Sequence, residues 1–187
     1  LANGPLAAVH LALDGIAGAV EIIVPQPRRL LFRLGDGDRD TPGGELLLDG
    51  HSLRALAQRH GTPLFVYSQR AMQAAAAAYQ RALAPQPHLL CYAMKANPSL
   101  AVLQTFARMG CGFDIVSGGE LQRVLAAGGD PAKVVFSGVG KTASEMELAL
   151  RAGVACFNVE SEGELERLSA VAQRSGLTAR VSLRVNP

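Results

Sequence analysis

Tryptophan is absent from the 187 residues, aromatic side chains of every kind make up only 5%, and no block of lysine or arginine occurs. Without basic stretches or rings to stack on bases, nucleic-acid binding is disfavoured. The formal net charge of +2 comes from 18 basic and 16 acidic residues scattered along the chain. Cysteine is scarce too: Cys91, Cys111 and Cys156 are odd in number and widely spaced, with no CxxC pair and no zinc-ligand spacing to any of the four histidines. That pattern argues against a disulfide framework or a metal centre and leaves buried, reduced thiols. No apolar run approaches the ~20 residues of a membrane span. Asp14 and Glu21 interrupt the apolar stretches near the start, and no positive cluster precedes them as a secretory signal requires. A soluble protein of the reducing cytoplasm, without membrane or metal, is expected.

What is present is enough hydrophobic material, 49%, to bury the core of one ordinary domain. From about residue 50 a short apolar run, a turn and an amphipathic stretch alternate, the signature of parallel βα units. Six strands are expected: Leu64 to Tyr67, Leu89 to Ala93, Gly112 to Val116, Val134 to Ser137, Cys156 to Val159, and Val181 to Val185. Helices are expected at about 69–84, 99–109, 118–128, 143–152 and 161–175, after a short one at Ser52 to His60 ended by Gly61 and Pro63. Ser68 can cap the first long helix and Pro85 and Pro87 stop it; Ser161 and Glu164 match a capping box; Gly128-Gly129 and Gly176 suit C-terminal caps. Such a repeat builds either a doubly wound sheet or a β/α barrel, and the number of units favours a barrel. An eight-unit barrel would need about 60 residues more, so a partial barrel of about six βα units over 51–187 is the expected fold. Residues 1–50 differ: they are rich in proline and glycine and carry two strand-like runs, Ala19 to Val24 and Leu30 to Leu34. They form a short β-rich segment, a linker, or the tail of an upstream domain.

Several residues sit where chemistry is done. Lys95 lies at the carboxyl end of an apolar strand in the run Cys91 to Pro98, the end at which βα architectures place active sites. Partly desolvated there, its amine is freed for nucleophilic or Schiff-base work. The alternative is a lysine snorkelling to solvent from the strand end. Asp114 falls among apolar neighbours in mid-strand, costly for a carboxylate unless it is paired or functional. The Ser117-Gly118-Gly119 turn can bring backbone close to a ligand, and Glu120 follows in the first helical turn, where the helix dipole also favours it without any function. Gly140-Lys141-Thr142 invites a phosphate-loop reading, but the first glycine of that motif would have to stand where Val135 does. Lys141 is then either near a neighbouring site or a solvated turn lysine. Asn158 to Glu160 end the fifth strand, and Arg184, between Leu183 and Val185 in the sixth, must find an anionic partner or a cavity with water.

Six ordered blocks carry a resemblance: Gly61 to Tyr67, Tyr92-Ala93-Met94-Lys95-Ala96-Asn97, Gly112-Phe113-Asp114 through Ser117-Gly118-Gly119-Glu120-Leu121, Phe136 to Thr142, Phe157 to Ser161, and Arg184-Val185-Asn186-Pro187. Together they resemble the alanine-racemase-like, fold type III decarboxylases that use pyridoxal phosphate (PLP), and most closely the diaminopimelate decarboxylase branch. The resemblance implies a PLP-binding β/α (TIM-type) barrel with a β domain built from both chain ends, and homodimers with active sites between subunits. It implies Lys95 as the Schiff-base lysine, Asp114 beside the cofactor, Glu120 supporting that side of the pocket and Arg184 lining it. The implied reaction is decarboxylation of meso-diaminopimelate to L-lysine. Decarboxylation of ornithine, arginine or carboxynorspermidine, or PLP binding without turnover, are the alternatives. The family's phosphate-binding glycines, pyridine-nitrogen partner and C-terminal cysteine and tyrosine would lie beyond residue 187, so the chain reads as an N-terminal portion, inactive alone. An upstream aspartate kinase fusion is a further expectation for such a front segment.

Overall fold

A computed structural model describes residues 19–23, 31–33 and 46–185. They form two compact units that meet along the chain between Tyr79 and Gln80. The Pro- and Gly-rich stretches of the front segment, and Asn186 and Pro187, lie outside the described residues.

In the first unit β1 (Ala19–Ile23) pairs antiparallel with β2 (Leu31–Arg33), close to the two runs expected there. A tight hairpin follows, β3 (Leu47–Leu48) and β4 (His51–Ser52). Its turn residues Asp49 and Gly50 both adopt positive φ, 50° and 80°, a backbone that an Asp-Gly pair tolerates well. Ser52 then caps α1 (Leu53–His60) by accepting from Ala55 N–H. Leu48 and Leu53 are buried, with Leu46, Leu56, Leu64 and Val66 packed against them.

β5 (Leu64–Tyr67) corrects an expectation. It does not open the parallel series; it pairs antiparallel with β1, in register from Ala19 opposite Tyr67 to Ile22 opposite Leu64. Four consecutive apolar residues read as a strand buried on both faces. In the structure Phe65 and Tyr67 are exposed and Leu64 and Val66 half-buried, the one-sided burial that antiparallel sheets permit. The parallel sheet therefore has five strands among the described residues, not six. α2 (Gln69–Leu83) follows, capped by Ser68, whose hydroxyl accepts from Ala71 N–H at 2.9 Å.

The second unit is the α/β part. β6 (Cys91–Ala93), β7 (Gly112–Ile115), β8 (Val134–Phe136), β9 (Cys156–Val159) and β10 (Val181–Leu183) are all parallel, each hydrogen-bonded to the next in sequence. Between them run α3 (Leu100–Arg108), α4 (Gly118–Ala126), α5 (Ala143–Ala152) and α6 (Glu162–Ser175). A doubly wound sheet reverses its strand order part-way; this one does not, which leaves the barrel succession. Tyr92, Phe113, Phe136 and Phe157 lie buried in the core with Leu103, Phe106, Leu121, Met146 and Leu168, and Tyr92 stacks on Phe106 with ring centroids 4.2 Å apart. Gly112 is obligatory by close approach: a side chain there would run into the Lys133 carbonyl. Helix starts follow the sequence signals. Ser117, Thr142 and Ser161 cap α4, α5 and α6, and Gly176 ends α6 at φ 63°. The full capping box belongs to Thr142 and Glu145, whereas Glu164, expected to complete the box with Ser161, turns its carboxylate elsewhere. No described helix is long and apolar enough to cross a membrane.

Candidate active site

Strand alternation decides what the carboxyl ends of the parallel strands present. In β7, Phe113 and Ile115 are wholly buried in the hydrophobic core, so Asp114 between them faces the other side of the sheet. The register places Ala93 opposite Asp114 and Asp114 opposite Val135. The side chains on this face bound a cleft of about 550 Å³, whose polar wall is Lys95, Asp114, Ser137, Asn158, Ser182 and Arg184.

Lys95 sits one residue beyond the centre of a strand-to-turn transition: β6 ends at Ala93 and a single 3-10 turn, Met94–Ala96, carries the lysine. Met94 is buried beneath it while Lys95 is exposed at the cleft, which settles where its side chain emerges. Asp114 is half-buried across the neighbouring strand and accepts the Ser137 hydroxyl hydrogen at 2.5 Å. Glu120 does not line the cleft. Its carboxylate accepts from Val116 N–H at 2.6 Å and its own N–H donates to Ser117 Oγ, so it braces the turn that follows Asp114.

Arg184 lines the cleft, but not from a buried strand as its apolar neighbours suggest. β10 is the outer strand of the described sheet, paired through β9, and all three of its residues are exposed. Arg184 lies just past its end and donates to Glu160 Oε1 at 3.3 Å, an ion pair between a mostly exposed guanidinium and a largely covered carboxylate. The same Glu160 oxygen accepts Gly138 N–H at 3.0 Å, tying the β8 turn to the β9 end.

From the cleft wall inward runs a polar network that sequence patterning did not isolate. Asn158 Nδ2 donates to Ser137 Oγ at 2.9 Å, and Ser137 donates on to Asp114. Lys141 is only 2% exposed, neither solvated nor at the cleft. Its ammonium donates to the Gly138 and Asn158 carbonyls, both at 2.7 Å, and to Glu164 Oε1 at 2.6 Å. Ser137 carried only the weak signal of a hydroxyl at the end of an apolar strand. Lys141 and Glu164 looked like turn and capping residues because their pairing is not local in sequence.

The thiols beside the cleft are inert. Burial, then the negative charge of Asp114, pushes the Cys91 thiol up to about 12, and burial likewise raises Cys156. Thiols raised in this way are poor nucleophiles near neutral pH. Among the described residues no cluster of three or more His, Cys, Asp or Glu side chains could hold a metal.

Comparison with known proteins identifies relatives in sequence and in fold. Diaminopimelate decarboxylase of Pseudomonas aeruginosa is 62% identical over 143 residues, covering 76% of this chain and 34% of that protein. The Vibrio cholerae enzyme of the same name is 56% identical over 144 residues, covering 77% and 34%. The crystal structure of diaminopimelate decarboxylase from Helicobacter pylori complexed with L-lysine matches with a TM-score of 0.69 at 43% identity, over 71% of this chain and 34% of that one. The chain thus spans about a third of the length of the curated relatives it matches. The family model for the pyridoxal-dependent decarboxylase, pyridoxal binding domain, matches residues 69–187, so the sheet that carries Lys95 and Asp114 is that domain's and the chain belongs to the pyridoxal-dependent decarboxylases.

Proposed function

We propose that this chain supplies the lysine-bearing side of the PLP site in an enzyme that decarboxylates meso-diaminopimelate to L-lysine, acting as a cytoplasmic homodimer. One observation carries the reading: Lys95 and Asp114 line a single cleft at the carboxyl ends of parallel strands, in a chain of the pyridoxal-dependent decarboxylases. The substrate assignment is supported by relatives named for that activity at 56 to 62% identity.

The residues suit the cofactor. A cleft of about 550 Å³ with an exposed amine, a carboxylate and a guanidinium on its wall offers a carbonyl-reactive group and both charge signs. When bound, PLP supplies an electron sink for the pair left behind as CO2 departs. Lys95 would hold the cofactor through its amine and release it when the substrate amine takes its place. Asp114 presents negative charge that favours a protonated nitrogen in the cleft. Glu120 braces the turn beyond Asp114, and Arg184, anchored on Glu160, offers donors to an anionic group from the opposite rim.

The test uses the complete gene product. Loaded with PLP, reduced with borohydride and digested, it yields the modified peptide on Lys95; label on Lys133 or Lys141 instead overturns the site. Lysine release from meso-diaminopimelate is expected, with none of the products of ornithine or arginine. CO2 from either of those amino acids alone, or from none of the three, overturns the reaction.

A further inference from the structure

Asp114 accepts within a hydrogen-bond chain that runs from Asn158 through Ser137. An amide nitrogen only donates, so Ser137 Oγ accepts from Asn158 Nδ2 at 2.9 Å. A serine hydroxyl has a single hydrogen, and that hydrogen goes to Asp114 Oδ1 at 2.5 Å. Asp114 Oδ1 is therefore an acceptor here, at a separation typical of O–H···O⁻ bonds. The amide orientation has its own support: the Cys156 thiol, kept protonated by burial, points its sulfur at Asn158 Oδ1 at 3.8 Å, leaving Nδ2 for Ser137.

Asn158 is in turn held from behind. The Lys141 ammonium grips its main-chain carbonyl at 2.7 Å while paired with Glu164. The chain of contacts crosses the ends of three adjacent strands, β7, β8 and β9, and its inner members are 5% exposed or less. Water has little access to substitute for any link.

We propose that Ser137 and Asn158 are positioning residues, which hold Asp114 as an oriented, ionised acceptor on the wall it shares with Lys95. The proposal rests on the reading that PLP occupies this cleft, and it assigns Ser137 and Asn158, which share its wall, a role exerted through Asp114. An ionised Asp114 favours the protonated form of the nitrogen joining Lys95 to the cofactor, whose protonation sets the cofactor's visible absorption.

The experiment compares the complete gene product with Ser137→Ala, Asn158→Leu and the double variant, each titrated with PLP at one fixed pH near neutrality. Ser137→Ala is expected to weaken PLP capture roughly tenfold, the order of one hydrogen bond to a charged group, and to move the visible band toward shorter wavelength. Asn158→Leu is expected to move both in the same direction by less, and the double variant to lose less than the two single losses combined, because Asn158 acts in part through Ser137. Either single variant matching the wild type, weaker capture with an unmoved band, or strictly additive losses would overturn the proposal. Ser137→Ala deletes a single buried atom, so it decides the matter even where Asn158→Leu fails to fold. A wild-type protein that takes up no PLP on Lys95 overturns the reading of the cleft itself, an outcome distinct from a wild type that loads normally beside variants that do the same.

Discussion

Lys95 and Lys141 both follow short, fully buried strands of the same parallel sheet, Cys91–Ala93 and Val134–Phe136, and the molecule treats them in opposite ways. Lys141 folds inward. Its three ammonium hydrogens meet three oxygens, and the Phe136 ring lies 5.7 Å from its nitrogen. An ammonium saturated in this way is out of reach of any ligand. Lys95 turns outward from a 3-10 turn onto the cleft wall, and its side chain makes no hydrogen bond or ion pair among the described residues. The difference teaches that a strand-end lysine is structural or available according to what lies one loop away, not according to its own strand.

The sharpest way to break that comparison is to remove the buried lysine. Lys141→Met leaves the Glu164 carboxylate, 3% exposed, without its cation. Breaking a buried pair on one side costs ~3–5 kcal/mol, and the denaturant midpoint of the complete gene product is expected to fall accordingly. Adding Glu164→Met replaces the pair with apolar volume and should return part of the loss, though Glu160 N–H then loses its acceptor. A single variant as stable as the wild type would show that Lys141 is no more engaged than Lys95.

Much of this architecture was legible before any coordinates. All six helices fall within a residue or two of their expected spans, because amphipathic periodicity and the caps at Ser68, Ser161 and Gly176 are local properties of the chain. Lys95, Asp114 and Arg184, which the family resemblance grouped around one pocket, line one cleft. Three features were not legible, and each depends on a distant partner. Leu64–Tyr67 reads as a parallel strand until Ala19–Ile23 is seen beside it. Lys141 reads as a turn lysine until Glu164, 23 residues on, closes over it. Arg184 reads as buried because apolar neighbours suggest a central strand, and only the sheet order makes its strand an outer one.

A smaller effect probes the turn that carries Lys141. Glu145 accepts from Gly118 N–H at 2.9 Å and from both Thr142 N–H and the Thr142 hydroxyl, joining the start of α4 to the start of α5. The Gly118 N–H first, then Thr142, hold its carboxyl below the ordinary glutamate value of 4.5. A carboxylate whose folded-state value is depressed contributes its stability fully above the unfolded value and loses it as pH falls through the folded one. Glu145→Gln removes that contribution, so the Tm gap between wild type and variant should be widest near neutral pH and close as pH drops below about 4.5. A gap that is constant with pH would mean the Glu145 charge does not brace this turn.

The smallest effect on the fold is expected where the effect on function is complete. Lys95→Ala removes an exposed side chain that supports no other group among the described residues, and surface substitutions of that kind stay within about 0.5 kcal/mol. Met94, buried just before it, keeps the 3-10 turn anchored in either protein. The variant should therefore unfold at the wild-type denaturant midpoint while taking no borohydride-fixed PLP label. The two readouts separate the lysines from opposite ends: Lys141→Met is expected to cost stability through a pair away from the cleft, and Lys95→Ala to cost the PLP label without touching stability. A Lys95→Ala protein destabilised as much as Lys141→Met would put both lysines in the structural class and leave the cleft without a group able to hold a carbonyl compound covalently.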